Sequence, residues 1–455
     1  MRSLIRLLVL PGLVAGCASY IARPLETGDA VARYHSRRLD DPTLGVVLDS
    51  FGARPTDGAW QDWQLATAAW VLRPERSRLN AEIRAAEAVR IAAGGRPQPG
   101  VGTETEYSFS GSDGEPRIGL AVATTFTLEL GGKRGARLGR ANAGVLAAVA
   151  RAEEEAWGLR WRVRDAVLER GRGERAWIRS TEELALIDSV LVALRARYEG
   201  GGADRIEVTR MEAERQDWAA EVASRRREFQ SGRARLAADV GLPSAELVQV
   251  SVSPDSLLAC PVADRSDSLE RLALTLRPEL HRVLAEYQVA EGDVRVEAAN
   301  SWPDLALGPG LFFDHGVNKW TIAFGLPSLP LNRNRGPIAE AEARREVSAQ
   351  RVAEVQGQIL GGVEEALAGC AAASEEMRAL DLSAARERVG LTEAAYQRGE
   401  VGRLEVLVAQ LELARASRRL GDAEARAQSA AQSLEHEVGV WSGAPAVMGS
   451  RKEGM

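Results

Sequence analysis

Two short stretches of this chain follow one pattern: RYEGGGADRIEV at residues 197–208 and AYQRGEVGRLEV at 395–406. Tyr198, Gly201, Arg205, Glu207 and Val208 recur 198 residues later as Tyr396, Gly399, Arg403, Glu405 and Val406, and Leu404 answers Ile206. The pair has company. LRPERSRLNAE (72–82) answers LRPELHRVLAE (276–286), Pro99 answers Pro303, Arg134-Gly135 answers Arg335-Gly336, and DVGLP (239–243) answers EVGVW (437–441). The offsets stay between 198 and 204 residues, so the chain is one unit written twice, and any fold must supply each element in duplicate. The repeats are read as 63–243 and 267–441. Residues 244–266 are a linker, marked by the Pro-, Ser- and Asp-rich run SPDSLLACPVADRSDS (253–268).

Each half reads in the same order. A helix (77–94, 280–300) precedes two strand-like runs, then a long helix (137–198, 338–397), the repeated turn, and a second long helix (206–240, 404–438). At 1.5 Å per residue the first long helix reaches roughly 90 Å, too far for the core of one globule. From Val406 a seven-residue ladder runs through Leu413, Leu420, Ala427 and Leu434, with Ala409, Ala416, Ala423 and Ala430 at the companion positions. Apolar residues alternating three and four apart make a coiled-coil seam. In the first half Arg215 and Arg225 interrupt the counterpart. The expectation is two long antiparallel helical hairpins.

The strand-like runs alternate. RIGLAVATTFTLE (117–129) sets Ile118, Leu120, Val122 and Phe126 against small residues, and KWTIAFGLPSLP (319–330) does the same with Trp320, Ile322, Phe324 and Leu326. In VGTETEYSF (101–109), Val101, Tyr107 and Phe109 share a face opposite Glu104 and Glu106; DLALGPGLFF (304–313) puts Leu305, Leu307, Leu311 and Phe313 on one face. Turn residues at 110–116 and 314–318 join each pair. Alternation over about ten residues suits strands of a membrane barrel with the apolar face in lipid. A soluble sheet would need a covering layer, and the long helices are taken up by their own seams. Open edges are not tolerated in hydrocarbon and four strands do not close a barrel, so several copies must share one. Glu104 and Glu106 then face the lumen, coloring cation passage or simply hydrating it, and Trp320 suits an interfacial aromatic belt.

The chain opens MRSLIRLLVLPGLVAGC: a basic start, an apolar run from Leu7 to Val14 too short to span a bilayer, and small residues before Cys17. This resembles a bacterial lipobox, which implies a signal peptide at 1–16, a covalent lipid on Cys17, and an anchored segment at 17–62 ahead of the first repeat. Residues 442–455 are read as a flexible tail. Export permits a disulfide, but Cys260 lies in the linker and Cys370 in a helical pattern, and they are expected to stay unpaired. A net charge of −6 gives no basic footprint for nucleic acid, and four scattered histidines show no metal-ligand spacing. LGGKRG (130–135) fails as a phosphate loop, having Thr127 where glycine is needed and Arg134 where serine or threonine is needed. No constellation for catalysis stands out, and the chain is read as a non-enzyme without cofactor.

Together the lipobox, the doubled order of helix, strand pair and hairpin, and the glycine-bearing tips resemble the bacterial outer-membrane efflux channels of the TolC type. LELGGKR (128–134) and LPLNRNRG (329–336) look like their heavy-metal branch. The resemblance implies a mainly α fold with membrane β: a homotrimer whose four strands per chain form one twelve-stranded β-barrel, continued by helices across the periplasm. It implies a passive duct for small molecules or metal ions, anchored in the outer membrane, working with a periplasmic adaptor and, through it, an inner-membrane transporter. It places the gate and the adaptor-docking surface at the tips: Gly201, Arg205 and Glu207 on the first, Gly399, Gly402, Arg403 and Glu405 on the second. Glu405 stands where the family often has a gating acid, although Val408 stands where a second is sometimes found. Each acid equally suits the first turn of a helix, and Arg205 and Arg403 either pair with neighboring acids to hold the tip shut or are simply exposed tip arginines without a role. The alternatives are the outlet of a type I-like secretion system, with the same architecture, and a non-pore periplasmic coiled-coil or adaptor lipoprotein, against which the doubled hairpin and paired strands argue.

Overall fold

A computed structural model describes residues 21–25, 27–52, 54–55, 58–107, 118–248, 250–253, 260, 266–314, 317–326 and 331–441. Cys17 and the signal segment, Phe109, the turn at 110–116 and the tail 442–455 lie outside the described residues. In chain order the elements are α1 (Ala30–His35), α2 (Pro42–Ser50), β1 (Ala59–Gln61), α3 (Asp62–Leu72), α4 (Glu75–Ala93), β2 (Gly100–Tyr107), β3 (Ile118–Leu128), α5 (Lys133–Glu199), α6 (Arg205–Val240) and β4 (Ser251–Ser253). Then follow α7 (Ser266–Leu276), α8 (Pro278–Asn300), β5 (Leu305–Asp314), β6 (Val317–Gly325), α9 (Arg335–Ala379), α10 (Ser383–Gln397) and α11 (Arg403–Val438). The segment assigned as linker carries a short 3-10 helix, Ser244–Leu247, and β4, which pairs in parallel with β1.

The repeat has a visible reason. In each half the arginine of LRPE turns back onto the end of that half's last helix. Arg73 ion-pairs with Glu75 and donates from Nη1 to the carbonyls of Ala238 and Asp239, both at 2.9 Å, at the end of α6. Arg277 pairs with Glu279 at 2.9 Å and donates to the His436 carbonyl at 3.0 Å, at the end of α11. A helix leaves its last carbonyls without intrahelical partners and carries partial negative charge there, so a guanidinium is a fitting cap. The two matched motifs, LRPE and the VG pair, are therefore two sides of one latch, made twice.

At 67 residues, α5 is the spine. It packs against α6 and α11 along one part of its length and against α4 and α8 along another. The largest core gathers Leu44, Leu48, Trp60, Trp63 and Leu65 of the N-terminal segment around Leu159, Val163 and Val167 of α5 and Leu236 and Val240 of α6. A second core joins α7, α8, α9 and α11 through Leu280, Val283, Ile359, Val363 and Leu434. The ladder on α11 is half right. Ala409, Ala423 and Leu434 are buried, but so are Leu407 and Leu411, because α11 has neighbors on two sides, α5 and the α9–α10 pair, and buries more than one stripe.

Two expectations need correction. The second long helix, read as continuous over 338–397, is broken at 380–382. The Asp381 carboxylate accepts from the Ser383 backbone N–H at 2.8 Å and from the Ser383 hydroxyl, starting α10 afresh while Leu382 turns inward. Short polar side chains compete with helical backbone bonding in this way, and DLS was the signal. Cys260 and Cys370 do not stay apart: they form a disulfide, with sulfurs 2.08 Å apart. The bond closes a separation of 110 residues and ties the inter-repeat segment to α9, where Cys370 is buried. Loop closure of this length stabilizes by restricting the unfolded chain, so Cys370→Ser is expected to cost about 2–5 kcal/mol in a urea melt. A reductant-insensitive melting midpoint in the unsubstituted protein would contradict the bond's contribution.

Candidate functional site: the exposed sheet and the helix tips

The four long strands form one antiparallel meander in the order β2-β3-β5-β6. Its register fixes the two faces. Leu120 pairs with Phe313, Val122 with Leu311, Phe126 with Leu307, and then Leu307 with Phe324 and Leu311 with Trp320. Side chains alternate along a strand and directly paired residues share a face, so these residues make one apolar surface across three strands. It is exposed: Ile322 is 69%, Phe324 73% and Trp320 85% accessible, and no helix covers it. The opposite face carries small and polar residues together with Phe312. Glu104 stands opposite Ala121 and Glu106 opposite Gly119, with Lys319 across the sheet opposite Phe312. Both glutamates thus lie on the face away from the apolar surface. Among the described residues β2 pairs only with β3 and β6 only with β5, which leaves two open edges.

At the other end of the helices the two tips are the same turn. In the first, the Gly202 N–H donates to the Arg197 carbonyl at 2.8 Å and that of Gly201 to Tyr198 at 2.9 Å. In the second, Glu400 donates to Ala395 at 3.0 Å and Gly399 to Tyr396 at 2.9 Å. Gly201 and Gly399 have φ of 76° and 77°, the left-handed region that a side chain resists, which explains their recurrence. Gly402 is different: it is the extended N-cap of α11 with φ −86°, where the first tip has Asp204, whose carboxylate accepts from the Glu207 N–H at 2.8 Å. Glu207 and Glu405 both sit in the first turn of their helices, where negative charge is favorable.

The two tips touch. Arg197 Nη1 lies 2.9 Å from Glu405 Oε1, while its Nε donates to the Gly202 carbonyl at 2.9 Å. Arg205 and Arg403, read either as pairing with neighboring acids or as simply exposed, make no side-chain ion pair among the described residues; the tip-to-tip arginine is Arg197. Comparing the repeats missed it because its counterpart is Ala395, and only recurring residues were in view. Beneath the ion pair, Leu191, Leu194 and Val208 pack with Met211 and Leu404, so one apolar cluster joins the tips of both hairpins. A groove of about 930 Å³ runs over it, with Arg197 and Glu207 at its rim and Val408 in its wall. On the second tip Arg398 hydrogen-bonds Glu400, at 2.7 and 3.0 Å, and holds that carboxyl below the usual range against a weaker opposing effect of burial.

The described residues contain no group of three or more histidine, cysteine or acidic side chains able to hold a metal ion, and no helix long and apolar enough to cross a membrane. Their long-range feature is a face of apolar strand at one end and a paired turn at the other.

Comparison with known proteins fits this geometry. The fold resembles the outer membrane protein VceC from Vibrio cholerae, at 20% identity and TM-score 0.66, over 83% of this chain and 96% of that one. It also resembles the outer-membrane channel OprN, at 18% identity and TM-score 0.66 over 94% and 99%. The open state of the Neisseria gonorrhoeae MtrE outer membrane channel matches at 17% identity and TM-score 0.61, over 83% and 89%. No curated protein matches by sequence. Residues 269–440, in the second half of the chain, match the outer membrane efflux protein family.

Proposed function

We propose that three copies of this chain assemble a passive outer-membrane channel, the exit duct of a tripartite efflux pump for small molecules or metal ions. The observation that carries this is a sheet with an exposed apolar face and two open edges. A soluble sheet covers such a face, and an edge in hydrocarbon costs several kcal/mol per unsatisfied group. Because β2 leads away from the helices and β6 leads back, β6 of one copy meets β2 of the next antiparallel. Three copies of four strands then give twelve with no edge left. Cys17 would carry the lipid anchor, the tips would meet a periplasmic adaptor, and Glu104 and Glu106 would line the lumen. No chemistry is assigned to the protein. The test is assembly and conductance. The protein purified in detergent is expected to be trimeric and to conduct in planar bilayers, and a monomer without conductance would overturn the reading.

The tips act as the gate in this reading, with Arg197–Glu405 as a latch between hairpins. Both side chains are exposed, at 49% and 40%, so the latch is worth no more than about 1 kcal/mol. Arg197→Ala or Glu405→Ala is then expected to raise the open fraction of single channels by up to about five-fold per protomer. The swapped pair, Arg197→Glu with Glu405→Arg, is expected to restore the closed fraction. Single variants with unchanged gating would remove this pair from the gate.

A further inference from the structure

Midway along the helices, where α6 and α11 flank α5, lies a cleft of about 880 Å³ lined by arginines from all three helices. Some are neutralized in place. Arg225 pairs with Glu221 at 2.7 Å and Glu228 at 3.1 Å, Arg235 with Asp165 at 3.0 Å, and Arg426 with Glu376 at 2.5 Å. Four others are not. Among the described residues Arg172, Arg175, Arg179 and Arg227 make no ion pair within 4.0 Å. Arg175 donates to the Gln428 side-chain carbonyl at 3.0 Å and Arg172 to the Ser429 hydroxyl, so two of the four are positioned by neutral acceptors.

Arg172, Arg175 and Arg179 share one side of α5 within about 10 Å of its length. Their mutual repulsion is visible at Arg175, whose guanidinium is held below the usual arginine range first by burial and then by the charges of Arg179 and Arg172, with Glu424 and Glu174 opposing more weakly. The Arg179 guanidinium sits against α11 at Gly421, in the space a Cβ there would occupy. Arg172 is about 58 Å along α5 from Lys133, far from the strands, so a ligand reaches the cleft from water.

We propose that this cleft binds a polyvalent oxyanion, a small water-soluble solute bearing a diphosphate or a comparable pair of anionic groups. Planar guanidinium forks match such oxygens bidentately, and the bound charge relieves the repulsion among the arginines. The site is independent of whether the sheet forms a trimeric pore, because one chain supplies all of it.

The probe is pyrophosphate, titrated calorimetrically into the full chain in detergent. Saturable binding that weakens as salt rises is expected. A charge-assisted hydrogen bond to a buried oxyanion is worth about 1.5–3 kcal/mol, so Arg175→Gln with Arg179→Gln is expected to weaken binding about ten-fold or more. Arg398→Gln at the tip serves as the charge control and is expected to leave it unchanged. Absence of saturable binding at millimolar pyrophosphate, or an equal loss in the tip variant, would overturn the proposal. Should the double variant fail to fold, Arg227→Gln alone is expected to weaken binding several-fold, and unchanged binding there would overturn it equally.

Discussion

Arg164→Ala is expected to destabilize the protein by about 3–5 kcal/mol, the cost of breaking a buried ionic cluster from one side. Arg164 is fully buried in the middle of α5, with Nε 3.3 Å from Asp62 of α3 and Nη2 2.9 Å from Glu435 of α11, and both acids are buried as well. The guanidinium also lies 4.9 Å from the ring center of Trp441 and 5.5 Å from that of Trp161, close enough for cation–π attraction. One cation thus holds the N-terminal segment, the spine of the first repeat and the last helix of the second. Its removal takes the cation from between two buried carboxylates. The measurement is the urea midpoint of the detergent-solubilized protein, with limited proteolysis showing whether residues 30–72 come loose first. The triple variant Arg164→Met, Asp62→Leu, Glu435→Leu is expected to recover most of the loss, because an apolar cluster of similar volume has no charge to desolvate. A single variant within about 1 kcal/mol of the parent would show that the cluster does not hold these three elements together.

None of that cluster was legible in the sequence, whereas the frame around it was. Periodicity and the doubled motifs located the four long strands and the turns of both hairpins, though not the break at 380–382, because each is local: alternation marks a strand and a glycine-bearing turn marks a reversal. Asp62, Arg164 and Glu435 are spread over the whole chain, and nothing local about an arginine in a helical stretch distinguishes burial from exposure. The same holds for Cys260 and Cys370, whose partnership depends on how the segment between repeats runs along α9. At the tips, the repeat pointed to Gly201, Gly399, Glu207 and Glu405, yet the contact between hairpins uses Arg197, one of the residues by which the two copies differ. Repeats reveal what both halves need for folding. The ion pair between the halves joins a residue the repeat shares, Glu405, to one it does not, Arg197.

Ile322→Arg is the substitution expected to be most damaging to assembly. Ile322 lies near the middle of β6, opposite Pro309, on the same exposed apolar face as Trp320 and Phe324. If that face meets lipid, a guanidinium near the bilayer midplane costs about 2–4 kcal/mol per chain. Three copies would bear it together, some 6–12 kcal/mol for the trimer. The expected result is loss of the proposed trimer, read as the mass of the detergent-purified protein. The neighboring substitution Thr321→Lys is the discriminating control, since Thr321 points to the opposite face, opposite Gly310, on the side that carries Glu104, Glu106 and Lys319. It is expected to leave the proposed trimer intact and, if that face lines a lumen, to shift conductance toward anions by adding positive charge there. If the two substitutions were equally harmless to assembly, the apolar face would not be a lipid face. If both abolished it, the sheet would be buried on both sides by protein, and the barrel would give way to a soluble interface between copies.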